Sequence, residues 1–484
     1  MKKSSPVANM LYELDAVALS AAIRQRQISC LETLDAFLDR VEAVNPRVNA
    51  LVALLERDTL RQEAKRLDDL LGRGQWLGPL HGLPQAPKDI MPAAGMVTTR
   101  GSLIFRDQVS ASDAVVFERM RQAGAVFIGR SNTPELGLGG HTYNAVYGLT
   151  RNAYDPSKSA GGSSGGAAVA VALHMLPVAD GSDMMGSLRT PAAFNSVYGL
   201  RTSLGCVPHG PTEDVFFQQF AVAGPMARNI PDLAMLFSVQ AGYDARLPLT
   251  RKSSPDHCVQ NLDRDFRGAR IGWLADLSGR LAMEAGVLAV CENALKTFDS
   301  VGARVEPVTI SFDFEALWQA WLTLRSFNVA GNYAHLYHDA DKRALLKPEA
   351  IWEIERGLKL SAMDVFQATR MRSSWYQTLR ALFENFDFLV LPGSQTFPFE
   401  AEQDWPTHIG DREMRTYHQW LECMIPATLA GLPTLCAPAG FNSDGLPTGL
   451  QIIAPPQEDW HVLQLGHAYD QASGHLRSHR PFME

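Results

Sequence analysis

No two of the six cysteines in this 484-residue chain stand in a C-x-x-C spacing. Cys30, Cys206, Cys258, Cys291, Cys423 and Cys436 are scattered, which excludes a disulfide framework and reads as reduced core thiols in a cytoplasmic protein. The thirteen histidines form no H-E-x-x-H, and His335 and His338 in "HLYH" are the nearest approach to a metal pattern. They read as one helix surface, and no metal is expected. No block of lysine and arginine stands out, and the net charge is −8, which argues against nucleic acid or an anionic membrane as the partner. No uncharged apolar run is long enough to cross a bilayer, and "MKKSSPVANMLYELDAV" has no apolar segment behind its two lysines. No membrane association or secretory signal is therefore expected.

With 46% hydrophobic and 20% charged residues, the chain has the composition of a globular protein with a substantial core. Residues 14–70 read as helical: Leu34, Phe37, Leu38 and Val41 recur at the spacing of one buried helix face. "NPRVN" at 45–49 is expected to interrupt, because Pro46 disfavours helix at Asn45. "DAVVFERMRQAG" followed by "AVFIGRSN" reads as helix then strand, and the unit recurs at 286–310. "RIGWLAD" and "FDFLVLPG" are further strand-like runs, so strands alternate with helices around a covered sheet. Residues 311–385 are helical and aromatic, either a layer walling a pocket or helices packed for stability.

"SKSAGGSSGGAAVAVAL" at 157–173 sets two serines between two glycine pairs. A flexible linker would not run on into an apolar, buried-type helix. A phosphate loop would need lysine just after the last glycine, where Ala167 and Ala168 stand. The G-x-S-x-G match lacks the apolar strand that a nucleophile elbow requires before it. Were a serine here reactive, a base must take its proton. S-x-x-K is absent, and none of the histidines has a context that singles it out.

Lys88, in "HGLPQAPKDI", sits in a stiff and mostly apolar segment. Taken alone it reads as a surface turn lysine, since an ordinary lysine is neutral in only about one molecule in 2,500 at pH 7. Burial is what would make it a base. Ser187, in "DGSDMMGSLRTPAAF", follows Gly186, an arrangement in which backbone N–H groups converge on one point. Read alone, this segment is better taken as a helix N-terminus with Ser187 as its cap.

Together, "GLPQAPKD", "SAGGSSGG" and "GSDMMGSLRTPAA", in that order and with Ser187 24 positions after Ser163, resemble the amidase signature family of serine hydrolases. "GRSNTPELGLG", "LTRNAYDPSKS" and "MIPATLAGLPTLCAPAGFNSDGLPTGLQIIAP" extend the resemblance over nearly the whole chain. It implies a single α/β/α sandwich over residues 1–484 around a mixed, mostly parallel twisted sheet. Within it would lie an N-terminal helical arm at 11–72, a catalytic core segment at 80–240 and a helical insertion at 311–385 lining the pocket. The implied triad is Ser187 as nucleophile, Ser163 after a cis Gly162–Ser163 bond as relay, and Lys88 as base. Backbone N–H groups of Met184, Met185, Gly186 and Ser187 would form the oxyanion hole. Ser164 would support its loop, Asp183 and Arg189 would pair, and Leu138 and Gly139 would line the acyl side. No cofactor is implied.

This sequence departs from the family at Met185, where glycine is usual, and at Pro87 before the lysine. The implied activity is hydrolysis of a small-molecule amide to acid and amine or ammonia, with a homodimer left open. Leucines and tryptophans at 317–327 and 371–383 suggest an apolar or aromatic substrate, and are as often simply core. The alternatives are a glutamine-hydrolysing component of an amidotransferase, against which "MGSLRTPA" and "FAVAGPMAR" count, and a catalytically silent binding protein on the same scaffold.

Overall fold

The apolar periodicity of the N-terminal segment becomes three helices, α1 (Ala16–Arg24), α2 (Cys30–Val48) and α3 (Arg57–Gly72). The computed structural model describes residues 8–217, 220–252, 261–474 and 479–482; Cys258 lies outside them. A capping box starts α2, with Ser29 Oγ accepting from Glu32 N–H (3.0 Å) and Glu32 accepting from Ser29 N–H (2.9 Å). Pro46 does not interrupt this helix as expected. It falls in the last turn, where its missing N–H forfeits one bond, and Asn45 closes the end instead. Asn45 Oδ1 accepts from the N–H groups of Ala50 (3.0 Å) and Leu51 (2.9 Å).

Eight strands form the main sheet: β1 (Val178–Asp183), β2 (Tyr198–Arg201), β3 (Val222–Ala227), β4 (Arg270–Trp273), β5 (Arg304–Pro307), β6 (Phe388–Pro392), β7 (Thr434–Phe441) and β8 (Pro447–Ile453). Their order is β5-β4-β6-β8-β7-β2-β3-β1. The sheet is mixed, as expected, but not mostly parallel: β4 pairs in parallel with β5 and β6, and the other five pairings are antiparallel. A short connection accounts for one of these pairs, β7–β8, since a parallel crossover needs a dozen or more residues. The β7–β8 hairpin turns at "NSDG", where Asn442 Oδ1 accepts from the N–H groups of Asp444 (3.0 Å) and Leu446 (2.9 Å).

"DAVVFERMRQAG" forms a helix at Val115–Gln122, but the apolar run after it gives only two-residue strands outside the main sheet. The unit at 286–310 folds as expected, into helix Val287–Ser300 and β5. "AAVAVA" lies in helix α4 (Gly165–Ala172), every residue of which is buried, and α5 (Arg189–Asn195) follows the second serine segment. Burying a Val or Leu side chain contributes roughly 1.5–3 kcal/mol, so these segments are anchored by the same core that holds β7 and β8. The 311–385 region contains α6 (Phe314–His338), α7 (Pro348–Leu358) and α8 (Ala362–Leu382). Among the described residues no helix is long and apolar enough to cross a membrane.

Candidate active site

Lys88 is fully buried, and its backbone is pinned from both sides. Its N–H is shared between the two carboxylate oxygens of Asp180 at 3.2 Å each, and its carbonyl accepts from Arg130 Nη2 at 2.9 Å. Pro87 has no N–H to give, but its carbonyl accepts from Ser131 N–H (3.2 Å), so the "APKD" segment runs bonded alongside "GRSN". The side chain then points at hydroxyls alone. Nζ lies 2.8 Å from Ser163 Oγ, 2.9 Å from Ser164 Oγ and 3.1 Å from Ser182 Oγ.

Those three partners fit a neutral amine, which has two N–H donors and one lone pair. Ser164 Oγ donates weakly to Ser182 O (3.4 Å), leaving a lone pair to accept from Nζ. The amine can therefore donate to Ser164 and Ser182 while Ser163 O–H donates to its lone pair. Burial brings the Lys88 amine down to about 7, against the opposing pull of Asp180 and Asp183. Neither carboxylate touches Nζ, which is why desolvation wins. Asp180 itself is pushed up to about 6 by burial, held back by the Lys88 N–H and by Arg130.

The glycines around the two serines answer to close packing. A Cβ on Gly166 would come within 2.3 Å of Asn132 N and 2.5 Å of Ala50 O, so α4 can start there only with glycine. The Gly162–Ser163 peptide bond is cis. Ser164 N–H donates to the Ser187 carbonyl (3.2 Å), which ties the two serine segments together. Ser164 is thus a direct partner of Lys88 as well as a loop support. Ser182 was not singled out in the sequence, although it stands in the same "DGSDMMGS" run.

Asp183 shapes the turn that carries Ser187. It accepts from Gly186 N–H (2.9 Å), Leu188 N–H (3.2 Å), Arg189 Nε and Nη2 (3.0 Å each) and Arg201 Nη1 (2.9 Å). Burial pushes its carboxyl up, but the two guanidinium groups outweigh that and hold it far below the usual carboxylate range. The expected Asp183–Arg189 pair is therefore present, joined by Arg201, which the sequence reading missed. The Gly186 N–H, expected among the oxyanion donors, is occupied by Asp183. Gly186 itself is needed at φ +87°, where a Cβ would also meet Met424 Cγ at 2.5 Å. Met185 is not among the positive-φ residues, so methionine in place of glycine introduces no backbone conflict.

Asp183→Asn leaves two buried guanidinium groups without their counter-charge. We expect a loss of about 3–5 kcal/mol in unfolding free energy, measured by urea denaturation.

Ser163, Ser182 and Ser187 open into one cavity of about 540 Å³, which Met184, Met185, Leu138 and Gly139 also line. Ser187 is half-buried there. A Cβ on neighbouring Gly137 would lie 3.8 Å from Ser163 Oγ. The facing wall comes from α6, whose Arg325, Asn328, Val329, Asn332 and Tyr333 follow helical spacing. The tryptophans do not line it: Trp318, Trp321 and Trp375 are core, and no residue of α8 reaches the cavity. The wall is more polar than the leucines and tryptophans of that region suggest. Among the described residues no group of three or more His, Cys, Asp or Glu side chains is placed to hold a metal ion.

A family model described as Amidase matches residues 32–463. The chain belongs to the amidase signature family. It is 33% identical over 459 residues to an acylamidase of Rhodococcus erythropolis, with 94% of each chain covered. It is equally 33% identical, over 487 residues, to a glutamyl-tRNA(Gln) amidotransferase subunit of Symbiobacterium thermophilum, covering 96% of this chain and 97% of that one. The crystal structure of a bacterial aryl acylamidase of the amidase signature family superposes with a TM-score of 0.90 at 27% identity, covering 97% of this chain and 99% of that one. This amidase signature enzyme is a hydrolase of carbon–nitrogen amide bonds.

Proposed function

We propose that the amidase hydrolyses a small-molecule amide through an acyl-enzyme on Ser187, with Ser163 and Lys88 as its proton relay. The observation that carries the reading is the 2.8 Å contact of buried Lys88 Nζ with Ser163 Oγ, in the cavity that also holds Ser187. Lys88 takes the Ser163 proton while Ser163 takes that of Ser187, whose Oγ attacks the carbonyl carbon. The N–H groups of Met184, Met185 and Ser187 stabilise the oxyanion, and Gly186 shapes the turn through Asp183. As the C–N bond breaks, the proton returns through Ser163 to the leaving nitrogen. Water, deprotonated by the same relay, then attacks the ester and frees the acid and Ser187. A lysine near pH 7 suits a relay that must first accept and then donate a proton.

Leu138 and Gly139, which line the same cavity as Ser163, are taken as the acyl side. We take residues 1–484 as one catalytic domain, and the enzyme as cytoplasmic. Support for the latter comes from Cys30, Cys291, Cys423 and Cys436, all buried free thiols.

The test is a screen of aliphatic, aryl and carbamate-like amides read by amine release, run beside labelling by a fluorophosphonate probe. Glutamine belongs in the panel, with ammonia as the readout, because the amidotransferase relative matches the acylamidase in identity. Failure to cleave any amide, together with an unreactive probe, would overturn the proposal and favour a silent scaffold. Ser163→Ala should lower kcat by roughly 10²–10⁴-fold while a slow acyl-serine still forms at position 187, seen by mass spectrometry.

A further inference from the structure

Among the described residues, one cation of the cavity wall is left without a counter-charge. Arg100 lines the cavity with its guanidinium carbon 5.1 Å from the centroid of the Phe105 ring, another lining residue. Its Nε is buried without a hydrogen-bond partner, and among the described residues no ion pair or hydrogen bond engages the guanidinium. Arg325, on the facing wall, is different. Its Nε is held by Glu353 (2.6 Å) and its Nη2 by the Tyr417 hydroxyl (2.7 Å), so that charge is already balanced. Glu213 is the one carboxylate among the described lining residues, and it is exposed.

The backbone of Arg100 is the second observation. It sits at φ +53°, in the left-handed region that side chains other than Asn and Asp rarely adopt. The segment is locked there: Asp89, next to Lys88, accepts from Thr99 N–H (3.0 Å), and the Arg100 carbonyl accepts from Leu136 N–H (2.7 Å). Strain of this kind persists where surroundings over-determine it, and it clusters at ligand-binding sites. The lock also fixes Arg100 relative to both Lys88 and Gly137, which lies against Ser163.

We infer that Arg100 anchors a carboxylate on the substrate, so that the amidase selects amides carrying an anionic group near the scissile bond. The inference rests on the amide-hydrolase reading above. A guanidinium fork meets a carboxylate through two parallel hydrogen bonds, and partial burial beside Phe105 strengthens the pair. N-acyl amino acids and monoamides of dicarboxylic acids are the substrate classes that fit.

The experiment compares glutaric acid mono-4-nitroanilide with pentanoic acid 4-nitroanilide, which replaces the carboxylate with a methyl group. Nitroaniline release and protection against fluorophosphonate labelling are read for both. Wild-type enzyme should favour the anionic anilide in KM by about tenfold, the worth of one charged hydrogen bond. Arg100→Gln should bring the ratio of kcat/KM values for the pair to about one, through KM rather than kcat, and Arg100→Lys should restore part of it. Arg100→Gly suits the left-handed backbone, so the same collapse in that variant separates charge recognition from misfolding. Equal behaviour of the pair in wild type, as when the guanidinium merely stacks on an aryl group, overturns the inference. So does an equal loss for both anilides in the variants, with labelling retained. Absence of labelling and turnover together would instead bring down the underlying hydrolase reading.

Discussion

Ser187→Ala is expected to lower kcat for amide hydrolysis by on the order of 10⁴-fold or more, with fluorophosphonate labelling abolished. The size follows from the role: no other described hydroxyl in the cavity is both half-exposed and set on the turn that Asp183 organises. Ser163 is buried against Lys88, and Ser182 lies beside the same amine. Losing a half-buried hydroxyl from a turn held by two buried arginines should leave thermal unfolding nearly unchanged. Activity and folding are therefore separable in this variant. Retention of labelled serine at another position would transfer the nucleophile's role there.

Lys88→Met is expected to have the second-largest effect, a fall in kcat of roughly 10²–10⁴-fold, the usual contribution of a general base. Its signature lies in the pH profile. Lys88 works as a base only when neutral, and its amine sits at about 7, so wild-type kcat/KM should rise with pH through that value and level off above it. The variant should lose that limb. The substitution removes an amine whose burial is costly but also its hydrogen bonds to Ser163, Ser164 and Ser182, so the two effects oppose and the net change in stability should be small. A profile unchanged in shape would exclude Lys88 as the titrating group.

Much of the fold could be read from local pattern. The helices at 287–300 and 314–338 and the strands at 270–273 and 388–392 fall on their apolar runs. Sheet order and direction could not be read, because partners such as β8 and β6 are set by packing between segments far apart in the chain. The "NSDG" turn was a local signal for one antiparallel pair. Pro46 misled because a proline's cost depends on its place within the helix, and here Asn45 caps the end through its side chain.

The site divides in the same way. Three short segments, fixed in order and spacing, were enough for the family, and they named Lys88, Ser163 and Ser187 together. Residues that act by balancing charge or completing hydrogen bonds, such as Arg201, Asp180 and Ser182, have no spacing of their own to betray them. Helix α6 carries both an aromatic stripe and a polar one, and composition cannot say which of them turns to the substrate.

By itself, then, the sequence determined the family and the amide-hydrolase class and named the candidate triad, since a motif of small and reactive residues survives being read in one dimension. Only the tertiary structure decided the state of the lysine, the charge around Asp183 and the polarity of the cavity. Desolvation and ion pairing depend on what surrounds a group in space, and for Lys88 those neighbours lie 75, 76 and 94 residues away along the chain.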